Sequence, residues 1–187
     1  MIGYDRDTGL ERKFCPPNAP LALAEGAVIE GYASLFGATD QGGDVVQAGA
    51  YGACLKRMAS EGRRVKMLWQ HDPAQPIGIW DEVREDGRGL YVKGRLLPEV
   101  ARAREAAALV SAGAIDGLSI GYRTKRAEQD ASGRRLLAEL ELWEVSLVTF
   151  PMLAEARVGA KGGDPSEVLL RELAEAFSGA RRMLAEG

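Results

Sequence analysis

Alternating apolar and polar positions predict β-strands through most of the chain between residues 22 and 158. Six segments show this pattern or form short apolar runs bounded by turn residues: 27–36, 65–70, 77–83, 90–96, 118–127 and 135–149. Turn residues, Asp86-Gly87 and the QDASG segment among them, separate neighbouring segments. Because the strands follow one another in hairpin-like steps, the pattern favours a small antiparallel β-barrel of about six strands.

Two stretches within this region have helical character. Residues 48–60 predict one helix, and Pro98 opens a second that extends to Ser111. Proline suits the first turn of a helix, where its missing N–H costs nothing, and Gly113 is a suitable stop. The predicted fold class is therefore mostly β with flanking helices (α+β).

The two ends of the chain differ from this central part. Residues 1–21 are polar and close on a proline-rich run, which predicts a flexible N-terminal arm. Residues 159–165 (GAKGGDP) predict a linker, and residues 166–185 an amphipathic helix. The chain thus divides into an arm (1–21), a β-barrel domain (22–158) and a C-terminal linker with a helix (159–187).

Composition narrows the classes of function. The formal net charge is −3, so a dedicated nucleic-acid binder is not expected. Cys15 and Cys54 form no CxxC pair, which favours a reducing compartment. No apolar run approaches the roughly 20 residues that span a bilayer, and the N-terminus carries charges where a signal peptide needs an apolar core. We expect a soluble intracellular protein with no membrane association.

His71 is the only histidine in the chain and lies where a strand meets a proline-containing turn, WQHDP. Imidazole is the side chain best suited to proton transfer near neutral pH, so His71 is a candidate general base. A surface histidine in a turn fits the same pattern. A zinc site is not expected, because one histidine without a neighbouring cysteine does not match the usual ligand sets.

Ser119 and Glu144 are the other candidate catalytic residues. Ser119 begins a strand in DGLSIGY, and its flanking glycines leave room for a substrate backbone. A strand serine bonded to nearby backbone is the alternative. Period-two alternation places Glu144 on one face with Leu140, Leu142, Ser146 and Val148, where a carboxylate needs a partner. That partner is either a catalytic histidine or an arginine, and Glu141 on the other face is the competing acid.

The motifs together resemble the prohead protease family of tailed phages, of the HK97-like type, which also occurs in gene transfer agents. The matching segments are GYASLFG (31–37), WQHD (69–72), PIGIW (76–80), GLYVKGRL (89–96), DGLSIGY (116–122) and LWEVSLVTFPM (142–152). The resemblance implies a fold similar to the herpesvirus capsid protease. It implies a serine endopeptidase with Ser119 as nucleophile and His71 as base. The herpesvirus enzymes have a second histidine as third member; here Glu144, 25 residues after Ser119, takes that place.

The same resemblance implies the partners. The substrate would be the scaffold segment of the major capsid protein, and the protease would also cleave itself; a homodimer is a further expectation. The site of action would be the interior of the procapsid in the bacterial cytoplasm, with no cofactor. Two other functions stay open: a non-enzymatic assembly or scaffolding factor of the same fold, and a cysteine hydrolase that uses Cys54.

Overall fold

A computed structural model of the protein describes residues 11–15, 22–24, 27–40 and 42–149. These residues form nine strands and two helices. The strands are β1 (Glu11–Cys15), β2 (Ala22–Ala24), β3 (Val28–Leu35), β4 (Asp44–Val46), β5 (Lys66–Trp69), β6 (Asp72–Glu85), β7 (Gly89–Leu96), β8 (Gly117–Gln129) and β9 (Arg135–Val148). The helices are α1 (Gly52–Ser60) and α2 (Ala101–Ser111).

All nine strands belong to one sheet, in the order β1-β8-β9-β5-β6-β7-β3-β2, with β4 paired to β9. Strand β3 also approaches β1 and β8, so the sheet curls toward closure as a half-barrel. The central six strands of the order, β8 to β3, are the six predicted from the sequence. The prediction of a mostly β fold with two flanking helices and about six strands is therefore confirmed.

The pairing within the sheet differs from the predicted all-antiparallel barrel. Strand β9 pairs in parallel with β5 and with β4. Parallel neighbours need a long crossover connection, and here β6, β7, α2 and β8 lie between β5 and β9 along the chain. Local alternation cannot reveal such pairing, because the two partners are distant in sequence.

Two segments predicted as irregular are strands. Residues 11–15 of the predicted arm form β1, which pairs antiparallel with β8. Strand β6 begins at Asp72 and includes Pro73 and Pro76. The β5–β6 ladder is irregular at Leu68, and irregular pairing is where a strand tolerates proline. The rest of the arm, the linker and the C-terminal helix lie outside the described residues.

The core lies against the sheet and holds β8, β9 and β5 in fixed register. Both helices bury one side, α1 through Cys54 and Met58 and α2 through Ala103, Ala106 and Val110. Burial of a large aliphatic side chain contributes roughly 1.5–3 kcal/mol. The largest fully buried aliphatic side chains are Ile29, Met67, Ile77, Leu90, Leu96, Ile120, Leu137, Leu140, Leu142 and Leu147. Neither helix in the described part of the chain has the length and apolar character to cross a membrane.

Candidate active site

His71 lies in a two-residue turn that joins β5 to β6. Trp69 pairs with Asp72, and the two residues between them, Gln70 and His71, have φ angles of 52° and 62°. Positive φ at both central residues is the requirement of a type I′ hairpin turn, which usually contains Asn-Gly. A non-glycine residue in this region costs roughly 1–3 kcal/mol and persists only where surrounding contacts hold it.

Contacts to the last residues of β9 and to Thr149 hold the turn. The backbone N–H of Gln70 donates to the carbonyl oxygen of Leu147 at 2.9 Å. The Gln70 side chain donates from Nε2 to Thr149 Oγ1 at 2.6 Å, and its Oε1 accepts from the Thr149 N–H at 3.4 Å. The backbone N–H of His71 donates to Ser146 Oγ at 3.2 Å. The turn therefore folds over the face of β9 that carries Ser146.

The imidazole of His71 contacts the carboxylate of Glu144. Nδ1 lies 2.5 Å from Glu144 Oε1, and the two residues are only 7% and 5% exposed. An ionised carboxylate only accepts hydrogen bonds, so Nδ1 carries the proton of this pair. Nε2 is then the basic nitrogen of the neutral ring, which is the arrangement a general base requires.

Ser119 lies on the neighbouring strand, on the same face. In the β8–β9 ladder Ser119 is opposite Ser146, and Gly121 is opposite Glu144. Side chains of directly opposed residues project to one face with Cβ atoms about 4.5–5.5 Å apart. The missing side chain at Gly121 makes room for the acid, since a Cβ there would lie 2.2 Å from Glu144 Oε1. The structure thus brings Ser119, His71 and Glu144 to one buried region of the sheet.

Ser146 also lies in this region, and reasoning from the sequence gave it no role of its own. Its hydroxyl donates to Glu144 Oε2 at 2.5 Å while accepting the His71 N–H. The residue is fully buried. The period-two pattern had placed Ser146 on the same strand face as Glu144, and this was the only feature of the sequence that could have pointed to a contact between them.

The competing acid, Glu141, lies elsewhere. Its carboxylate forms ion pairs with Lys125 at 3.0 Å and with Arg57 at 3.3 Å. The hydrogen bond from Lys125 is the main reason that the pKa of Glu141 is lowered from its usual value. Glu144, and not Glu141, is therefore the acid in contact with the histidine.

The sequence also left open a cysteine hydrolase that uses Cys54. Cys54 is buried in α1, where its sulfur accepts the Leu142 N–H at 3.3 Å, so its contacts are those of a core residue. A pocket of about 420 Å³ between α1, β5 and β9 includes Arg63, Arg64 and Trp143 but none of the three catalytic candidates.

A buried histidine in contact with a carboxylate, beside a strand that carries a buried serine, resembles the arrangement of Ser–His–acid hydrolases. A family model described as Caudovirus prohead serine protease matches residues 18–169. The chain belongs to that family, and the resemblance inferred from the sequence motifs is confirmed.

Individual relatives agree with this assignment. The prohead protease of Enterobacteria phage HK97 is 35% identical over 136 residues, which are 71% of this chain and 59% of that protein. A capsid polyprotein of Pseudomonas phage PAJU2 is 35% identical over 102 residues, 50% of this chain and 15% of the polyprotein. The chain thus spans less than two thirds of the length of either relative.

A solved structure supports the fold. The bacteriophage T4 capsid assembly protease superposes with a TM-score of 0.61 at 19% identity. The match covers 76% of this chain and 98% of that chain. The curled sheet with two helices is therefore the fold of a known capsid protease.

Proposed function

We propose that this chain is a serine endopeptidase that matures procapsids by cleaving the scaffold segment of the major capsid protein. Ser119 is the nucleophile, His71 the general base and Glu144 the third member of the triad. The observation that carries the proposal is the buried 2.5 Å contact between His71 Nδ1 and Glu144, on the face that also carries Ser119. Membership of the family supports a capsid-related substrate. We propose that the enzyme acts in the interior of the procapsid.

The proposed reaction assigns one role to each of these residues. His71 Nε2 removes the proton of the Ser119 hydroxyl as Oγ attacks the scissile carbonyl carbon. The resulting imidazolium is stabilised by Glu144 and gives its proton to the leaving amine. Water, deprotonated by the same nitrogen, then hydrolyses the acyl-enzyme, which releases the carboxyl product and restores Ser119.

Ser146 is a second serine in the same region, opposite Ser119 on the neighbouring strand. The single hydroxyl proton of Ser146 is donated to Glu144 Oε2. That proton therefore points to the carboxylate and not to the imidazole. Ser119, one strand further along the same face, carries the hydroxyl assigned to attack.

Co-expression with the major capsid protein tests the proposal. Ser119→Ala and His71→Ala should each abolish scaffold removal, because loss of a triad member typically costs roughly 10⁴–10⁶-fold in kcat. Ser34→Ala is the matched control, since Ser34 is equally buried but outside the site. If scaffold removal continues at the normal rate in both variants, the chain is not the protease. It would then be a non-enzymatic assembly factor.

We further propose that the enzyme cleaves itself and removes the tail after residue 158. Intact-mass measurement of the purified chain should show a shortened form in the active protein and the full-length form in Ser119→Ala. An active preparation with its tail complete would contradict tail removal while leaving the capsid cleavage intact.

A further inference from the structure

We infer that Ser146 is a positioning residue, which holds the imidazole of His71 and the carboxylate of Glu144 in their productive arrangement. The kinetic part of this inference rests on the proposed function; the structural part does not. Nothing in the sequence motifs assigns a role to this serine beyond its place on a strand. Its contacts within the active site support such a role.

The contacts form a closed ring of hydrogen bonds. The His71 N–H donates to Ser146 Oγ, the Ser146 hydroxyl donates to Glu144 Oε2, and Glu144 Oε1 accepts from His71 Nδ1. The ring therefore begins at the main chain of His71 and returns to its side chain. Because both Glu144 oxygens are engaged by different donors, the plane of the carboxylate is defined.

The ring of hydrogen bonds matters because it retains an unfavourable backbone conformation at His71. His71 has a φ of 62°, a conformation that a non-glycine residue leaves unless contacts retain it. Its backbone N–H donates to Ser146 and its Nδ1 to Glu144, the carboxylate that Ser146 itself orients. Loss of the Ser146 hydroxyl would weaken the turn and the acid together, so the imidazole would lose its fixed orientation.

Ser146→Ala tests the kinetic part, with Ser34→Ala as matched control. Both serines are fully buried, but Ser34 Oγ has no hydrogen-bond partner within the described residues. With a scaffold-derived peptide as substrate, Ser146→Ala should lower kcat by about 10²-fold and change KM by less than about threefold. Misplacement of a catalytic group by about 1 Å has effects of this size, and groups that act on the transition state alter kcat more than binding. Ser34→Ala should match the wild type.

A spectroscopic measurement tests the structural part without activity. His71 is the only histidine, so ¹⁵N-labelled histidine reports this one ring. In a Ser119→Ala background the ring should show a single tautomer with the proton on Nδ1 in a strong hydrogen bond. Adding Ser146→Ala should mix the tautomers and weaken the Nδ1–H signal. Ser146→Cys replaces the hydroxyl with a larger thiol that is only a weak donor, and it should change the signals in the same direction.

The outcomes separate the two proposals. If the Ser146 variants keep wild-type kcat and the wild-type histidine signals, the positioning role is wrong, whatever their melting temperature. If the signals change as expected but Ser119→Ala still removes the scaffold, the ring exists and the protease assignment fails.

Discussion

Gly121 offers a sharp test of the active-site geometry, because its missing side chain leaves space for Glu144. A Cβ at Gly121 would lie 2.2 Å from Glu144 Oε1, 2.9 Å from Cδ and 3.0 Å from Cγ. Ordinary contact distances begin near 3.4 Å, so in Gly121→Ala the carboxylate must retreat by about 1 Å. A retreat of that size would stretch the 2.5 Å contact with His71 to about 3.5 Å, the limit of a hydrogen bond.

The expected magnitude follows from this displacement. A 1 Å misplacement of a catalytic group costs about 10²-fold, or roughly 2.7 kcal/mol in the activation barrier. Complete loss of the acid sets the upper limit, about 10⁴-fold in serine proteases that have a Ser–His–Asp triad. We therefore expect kcat of Gly121→Ala to fall by about 10²-fold, measured as the initial rate of peptide cleavage.

A control and a double variant make the result specific. Gly52→Ala is the control: its added Cβ would meet only Glu85 Oε2, at 3.8 Å, at the first residue of α1. It should keep full activity. Since Gly121→Ala acts through Glu144, combining it with Glu144→Gln should cost little more than Glu144→Gln alone. Wild-type activity in Gly121→Ala, or fully additive losses in the double variant, would refute the placement of Glu144 beside the base.

Further predictions concern the acids and the core. Glu144→Gln should lower kcat by about 10²–10⁴-fold. Glu141→Gln should keep kcat within about twofold of the wild type, because Glu141 forms only partly exposed ion pairs. The same peptide assay compares the two variants. The backbone N–H of Arg88, with Tyr32 and Arg84, holds the pKa of Asp86 at about 2. The ionised form of Asp86 is thus favoured in the folded state, so the free energy of unfolding should fall as the pH drops from about 4 to 2. Urea titrations at several pH values should show a smaller fall for Asp86→Asn than for the wild type. Identical pH dependence in the two proteins would contradict this prediction. Leu137→Ala should lower the free energy of unfolding by about 2–5 kcal/mol in chemical denaturation, whereas a loss under 1 kcal/mol would contradict its place in the core.

The sheet shows which parts of the fold local sequence could predict. The hairpin of β8 and β9 was predicted because alternation and the turn residues between the strands are adjacent in the chain. The extension of β6 back to Asp72 was missed, because prolines normally argue against a strand and only the irregular pairing with β5 accommodates them. Strand β1 was missed because its five residues gain their conformation from pairing with β8.

The candidate site shows the same division. The sequence identified Ser119, His71 and Glu144 as candidates and left Glu141 open, because alternation defines faces but not partners. The turn at Gln70–His71 could not be predicted as left-handed, since it lacks the Asn-Gly or Asp-Gly pair that dominates two-residue turns of this kind. Its conformation depends on contacts with Ser146, Leu147 and Thr149, which lie at or just beyond the end of β9, about 75 residues later in the chain.

The sequence by itself determined the family, the mostly β character and the residue types available for catalysis, because motifs and periodicity are local properties of the chain. Only the tertiary structure decided that the parallel pairing of β5 with β9 carries His71 over Glu144, that Gly121 leaves space for the acid, and that Ser146 links the two. These are contacts between segments distant in sequence, and they form when burial of the core brings three strands into one register.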